Sequence, residues 1–140
     1  MARWICPRCD REFAAVGQGH SCVPGSTVEA SLAGAPAWMR ECYAAISREL
    51  RRCGPVHEDA VRVGVFLKTD RKLAEFRPRA KTVRLTLWLP GPVEHPRLLP
   101  LAEPMAARVY HHFTLRSIDD LDEELLELVG EAYDFATDSG

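Results

Sequence analysis

Nowhere in these 140 residues does an apolar run approach the roughly 20 that a helix needs to cross a bilayer; charged side chains interrupt the apolar stretches after a few positions. The Met1-Ala2-Arg3 start does not lead into an apolar segment either. No export signal is therefore expected, and the chain reads as a soluble, cytoplasmic protein without a membrane partner. Internal repeats and low-complexity runs are missing, which leaves one ordinary domain and a short appendage. Also absent are the G-x-S-x-G motif, the phosphate-binding loop, the dinucleotide glycine fingerprint and the H-E-x-x-H motif, so none of those enzyme classes is expected. From Asp119 to Asp138 there is no basic residue at all, against nine acidic ones.

Cysteine is present in an odd number, five, which speaks against a disulfide framework and suits a reducing compartment. Cys6, Cys9 and Cys22 lie with His20 in one short span. Cys6-Pro7-Arg8-Cys9 has the two-residue gap that lets a tight turn aim both sulfurs at one point, and Pro7 fixes φ there. His20 and Cys22, at i and i+2, share a side if the backbone is extended. Gly17 and Gly19 supply permissive dihedrals for the return. Three thiolates and one imidazole close a zinc tetrahedron and leave no position for substrate. A redox CxxC is the alternative, but it belongs at a strand-to-helix junction in a βαβ pattern. Here Asp10 to Phe13 reads as a short strand. Arg8 and Arg11 suit the net negative charge of such a centre, and Trp4 and Phe13 suit a miniature apolar core. Cys42 and Cys53 read as small core-facing residues.

After Val23-Pro24-Gly25, Ser26 to Glu29 has the form of a capping box opening a short helix to about Gly34. Met39, Tyr43, Ile46 and Leu50 recur at helical spacing, so a helix is expected from Pro36 to Arg52, ended by Gly54-Pro55. Alternation with period two then gives a strand from Val61 to Lys68, another from Leu73 to Arg77, a third over Val83 to Leu89 and a fourth from Ala107 to Leu115. A long proline-rich connection runs from Pro90 to Pro104. The last helix is expected from Ser117, with Asp120 as capping partner, to Phe135, burying Leu121, Leu125, Leu128 and Ala132. The fold expected is α+β: an antiparallel sheet of about four strands against N- and C-terminal helices. Residues 1–24 form a zinc-binding element and residues 25–140 the α+β domain.

A net charge of −2 conceals an asymmetry, since Arg62 to Arg84 holds eight basic residues and only Asp70 and Glu75 as acids. With Arg62, Phe66 and Lys68 on one face and Arg84 and Trp88 on one face, cations and aromatics can line a surface that stacks unpaired bases and contacts phosphates. The competing reading puts Phe66 and Trp88 under a helix and pairs the arginines with the acidic C-terminal helix. A further candidate ligand site combines Glu94 and His95 of the long connection with His111 and His112, which fall on opposite faces of a strand. Asp59, Glu75 and Lys68 have the residue types of a metal-dependent nuclease, but nothing marks them as one.

The words "CPRCDREF…GQGHSC", "LAGAP", "CGPV", "VEHPR" and "YHHFTLRSIDDLDEEL" together resemble the domain of unknown function 5655 family over nearly the whole length. More distantly, the helix-then-sheet order is similar to small domains of the YdhG type, some described as iron-chaperone-like. The resemblance implies an N-terminal zinc-binding element on a small α+β domain. It also implies a nucleic-acid setting, through related domains attached to nuclease-like modules, and no catalytic residues. The expected function is a non-enzymatic zinc-containing module that binds nucleic acid through the basic sheet. The alternatives are a protein- or small-ligand-interaction domain with purely structural zinc, its apolar groove near the Pro90 to Pro104 connection, and, after these, a metal carrier or an enzyme.

Overall fold

A computed structural model describes residues 4–13, 15–20, 22, 24–99 and 110–137. Two short strands, β1 (Trp4–Ile5) and β2 (Glu12–Phe13), pair antiparallel around the Cys6 to Cys9 turn. A one-turn helix α1 (Val28–Ser31) follows, capped by the Thr27 hydroxyl, which accepts from the Ala30 amide at 3.1 Å. Helix α2 (Ala37–Cys53) then buries Met39, Cys42, Tyr43, Ile46 and Leu50 along one stripe. It stops at Gly54, whose φ of 154° suits glycine and whose missing side chain leaves room for the Tyr133 hydroxyl.

Five strands make a meander in sequence order: β3 (His57–Val61), β4 (Gly64–Lys68), β5 (Lys72–Pro78), β6 (Val83–Trp88) and β7 (Tyr110–Leu115), each antiparallel to the next. A 3₁₀ turn, Ile118–Asp120, leads into α3 (Glu123–Thr137). Period two divides the sheet cleanly. Val65, Leu67, Ala74, Phe76, Val83, Leu85, Leu87, Phe113 and Leu115 form the core with the buried stripes of α2 and α3. Both outer strands have partners. Gly25 and Ser26 pair with β3, the Ser26 amide donating to the Ala60 carbonyl at 2.8 Å. Arg97 to Leu99 run antiparallel along β7. Among the described residues each edge is thus paired over part of its length, which limits its use as a template for another chain.

Several expectations change. The single strand expected from Val61 to Lys68 is a hairpin: Arg62 and Val63 are its two-residue turn, and His57–Val61 adds a fifth strand. Because Val61 pairs with Gly64, the face flips at the turn, so Val61 does not share a face with Val65 and Leu67. The last helix starts six residues later than expected, and Asp122 caps it by accepting from the Leu125 amide at 2.8 Å. Asp120 instead accepts from the Arg116 amide. Cys42 is fully buried, with burial pushing its thiol up to about 11, whereas Cys53 is exposed. Only Gly17 of the two loop glycines has positive φ. The expected strand start at Ala107 and the connection beyond Leu99 lie outside the described residues.

The face opposite the helices carries a buried charge cluster. Asp59 accepts from Arg11 Nε at 3.0 Å and Arg11 Nη2 at 3.0 Å, and Lys68 Nζ lies 2.6 Å from the same carboxylate. Arg11 is 6% exposed, Asp59 4% and Lys68 4%. Lys68 also sits over the Phe13 ring at 4.3 Å, and Arg11 over Phe13 and Phe66 at 5.3 and 5.7 Å. Residues 4–13 are thereby seated on β3 and β4. Burial alone would raise the Asp59 carboxyl, but the hydrogen bonds from Arg11 and Lys68 outweigh it and hold Asp59 below the usual carboxylate range. A folded-state value below the unfolded one gives stability at neutral pH that is lost as acid protonates the carboxylate. Asp59→Asn is expected to destabilise the fold by about 3–5 kcal/mol in urea titrations at neutral pH, since two buried cations lose their counter-charge. The wild-type curve should lose stability below about pH 4, and the variant's curve should be flatter there.

Candidate metal centre and the open sheet face

The turn after β1 is fixed by two backbone bonds, Cys6 amide to Arg11 carbonyl at 2.9 Å and Asp10 amide to Cys6 carbonyl at 2.8 Å. Asp10 takes φ of 60°, which an Asp tolerates better than most residues. These bonds aim Cys6 and Cys9 at His20 and Cys22 on the return. The Cys6 and Cys22 sulfurs stand 3.8 Å apart, and His20 Nε2 lies 3.4 Å from the Cys9 sulfur and 3.3 Å from that of Cys22. All four donor atoms fall within 4.8 Å of one another, so the set can hold a metal ion. His20 Nδ1 donates to the Gln18 carbonyl at 2.6 Å, which leaves Nε2 as the ligand atom. Phe13 stacks on the His20 ring at 3.9 Å, and Trp4 packs beside both in a small core with Cys6 and Cys9. Burial opposes a thiolate at Cys6, but the amides of Arg8 and Cys9 and the neighbouring thiol and imidazole bring it down to about 6. Burial and the nearness of Cys6 push Cys22 up.

A family model described as a domain of unknown function (DUF5655) matches residues 28–136. The chain belongs to this family. The matched stretch takes in the whole five-stranded sheet and stops short of the Cys/His element, so Asp59 and Lys68 are family-domain residues while their partner Arg11 precedes the domain. No curated protein and no solved structure matched the chain.

The surface expected to touch nucleic acid is assembled in part. Lys68 is buried against Asp59 and does not reach it, and Arg62 sits exposed in the β3–β4 turn at its margin. Arg84 and Trp88 do lie on the face away from the helices, in register with Arg77 and Tyr110. Arg84 forms no ion pair among the described residues. The acidic α3 packs on the other face, against β5 and β6, so it does not neutralise these arginines. Phe66 is half-buried, covered by Arg11 on one side and by Lys72 at 4.5 Å on the other rather than by a helix. Tyr110, 41% exposed, and Lys72 were not singled out from sequence. Tyr110 stands two residues from His112 and so shares its face, a signal that the period carries.

The second ligand set does not form as expected. Glu94 is exposed, and His112 turns to the open face, where its Nδ1 lies 2.7 Å from the Thr86 hydroxyl. Burial, with help from Arg84, lowers the pKa of that ring. His95 instead meets Asp122 and Glu124, its Nε2 3.0 Å from the Asp122 carboxylate while Nδ1 accepts from the Arg97 amide. Both ring nitrogens are engaged, so this trio braces the connection onto the start of α3. His111 faces the core at 2% exposure, and neither ring nitrogen has a hydrogen-bond partner among the described residues, which is uncommon for a buried polar group. Asp59 and Lys68 are locked to each other and to Arg11, and Glu75 turns to Arg77, so these three residues do not come together as a metal-binding set among the described residues. No described helix is long and apolar enough to cross a membrane.

Purified protein is expected to carry about one equivalent of tightly bound metal ion, and Cys22→Ser to lose most of it after gel filtration. Elemental analysis of both reads this directly, and an unchanged metal content in the variant would take Cys22 out of the ligand set.

Proposed function

We propose that the protein is a single-stranded nucleic-acid-binding module whose recognition surface is the β5 to β7 half of the open sheet face, with a structural zinc ion ordering the N-terminal element. The observation that carries the reading is the co-placement of Arg77, Arg84 and Lys72 with Trp88, Tyr110 and His112 on one helix-free face. Antiparallel strands hold these side chains at fixed spacing, so successive bases can stack on the rings while phosphates meet the cations. His112, its ring pKa lowered, is neutral at pH 7 and acts as a flat surface and hydrogen-bond partner rather than as a charge.

Zinc is supported by donor geometry. A tetrahedron with bonds of about 2.3 Å to sulfur and 2.0 Å to nitrogen separates two sulfurs by about 3.8 Å and a sulfur from a nitrogen by about 3.5 Å, close to the spacings of this set. Four protein donors fill the coordination sphere, and the role left for the metal is to fix the element that carries Arg11 and Phe13.

Fluorescence anisotropy against single-stranded RNA, single-stranded DNA and duplex DNA tests the reading. Affinity for single strands is expected to fall at least about tenfold between 50 and 200 mM salt. Trp88→Ala should weaken binding by about 1–3 kcal/mol through the lost stack, and Arg84→Gln should flatten the salt slope. Absence of binding at the lower salt would overturn the proposal and direct attention to protein partners.

A further inference from the structure

At the end of the sheet where β6 finishes, a cavity of about 510 Å³ lies between the β4–β5 turn, the Cys/His loop and the last turn of α3. Its walls include Gln18, Asp70, Arg71, Lys72, Trp88 and Phe135. The volume falls within the roughly 300–1,000 Å³ of small-ligand sites. Two aromatic rings, Trp88 and Phe135, supply flat apolar walls. Arg71 is held in place: its guanidinium lies over the Phe135 ring at 4.9 Å and donates to the Phe135 carbonyl. That bond occupies one of the carbonyls at the C-terminal end of α3. Lys72 rests on the Phe66 ring and makes no ion pair among the described residues. Among the described lining residues the charged side chains are Arg71, Lys72 and Asp70, and Lys72 is exposed.

We propose that this cavity receives the terminal nucleotide of a bound single strand, its base against Trp88 and Phe135 and its terminal phosphate monoester near Lys72 and Arg71. The inference rests on the single-strand reading of the open face and specifies where the strand ends. Trp88 and Lys72 belong to both surfaces, so a strand following Arg84 toward Trp88 arrives at the cavity mouth. Beyond it, the β4–β5 turn and the last turn of α3 stand in the way of further chain. A terminal phosphate monoester carries close to two negative charges against one for an internal diester, which strengthens its contact with Lys72. Asp70 is placed to accept from a base amino group or a sugar hydroxyl.

Three oligonucleotides of one sequence, with a 5′-phosphate, a 3′-phosphate or neither, separate the possibilities in anisotropy titrations. One phosphorylated form is expected to bind about tenfold more tightly than the unphosphorylated strand, the gain of a charge-assisted contact. Lys72→Gln, an exposed site whose change leaves the core alone, should abolish that gain, whereas Arg84→Gln should weaken all three strands alike. Salt-sensitive binding that is equal for all three strands, or a gain that survives in Lys72→Gln, would overturn the terminal-nucleotide site and leave the open-face reading standing. No binding of any strand would overturn both.

Discussion

One carboxylate, that of Asp59, organises the joint between the two parts of this chain. It sits on β3, pointing away from the helices, and without cations around it burial would be prohibitive. Lys68, diagonal to it on β4, supplies one, and Arg11 of the Cys/His element supplies the other. The two cations then find the faces of Phe13 and Phe66. Electrostatics and apolar packing therefore act at the same place, and the N-terminal element is fixed in orientation and not merely tethered.

That seating decides what the open face can be. An antiparallel sheet with helices on one side leaves the other to solvent unless something covers it. The element covers the β3 and β4 half, through Arg11, Phe13 and the approach of Glu12 to His57 at 3.4 Å. The β5 to β7 half keeps Arg77, Arg84, Trp88 and Tyr110 at the surface. The acids of α3 lie on the helix side, which also carries the arginines of α2, while Arg84 lies on the sheet side with Arg77, which stands 4.0 Å from Glu75.

Much of this was readable from local pattern. The spacing of Cys6, Cys9, His20 and Cys22 anticipated a cluster that can hold a metal ion, and the 3.6-residue period located α2 almost to the residue, because both signals are carried by neighbours in sequence. The hairpin at Arg62-Val63 escaped because the turn holds no Asn-Gly or Asp-Gly pair and an apolar residue follows every second position across it. A continuous alternation then looked like one strand. Lys68 was misread as a surface cation for a different reason: its partners, Asp59 and Arg11, meet it only through strand pairing and through docking of a distant segment. The start of α3 was misplaced because Ser117 and Asp120 are residue types that cap helices, whereas here Ser117 makes no side-chain capping bond, Asp120 accepts from the Arg116 amide and Asp122 caps the helix. His111 likewise follows the strand period, yet no local signal could reveal that its ring nitrogens lack partners.

The Arg11, Asp59 and Lys68 cluster is not symmetric in its consequences. Removing Asp59 leaves two buried cations with no counter-charge. Removing Arg11, by contrast, leaves Asp59 and Lys68 as a neutral pair at 2.6 Å, with water admitted where the element stood. Both members of that pair belong to the family domain, whereas Arg11 belongs to the element, whose own small core is Cys6, Cys9, Phe13 and Trp4. The element therefore depends on the sheet for its seat more than the sheet depends on the element, and what it covers there is Lys68 and the Arg11 side of Phe66, while Trp88 and Tyr110 stand on the β6 and β7 part of the same face.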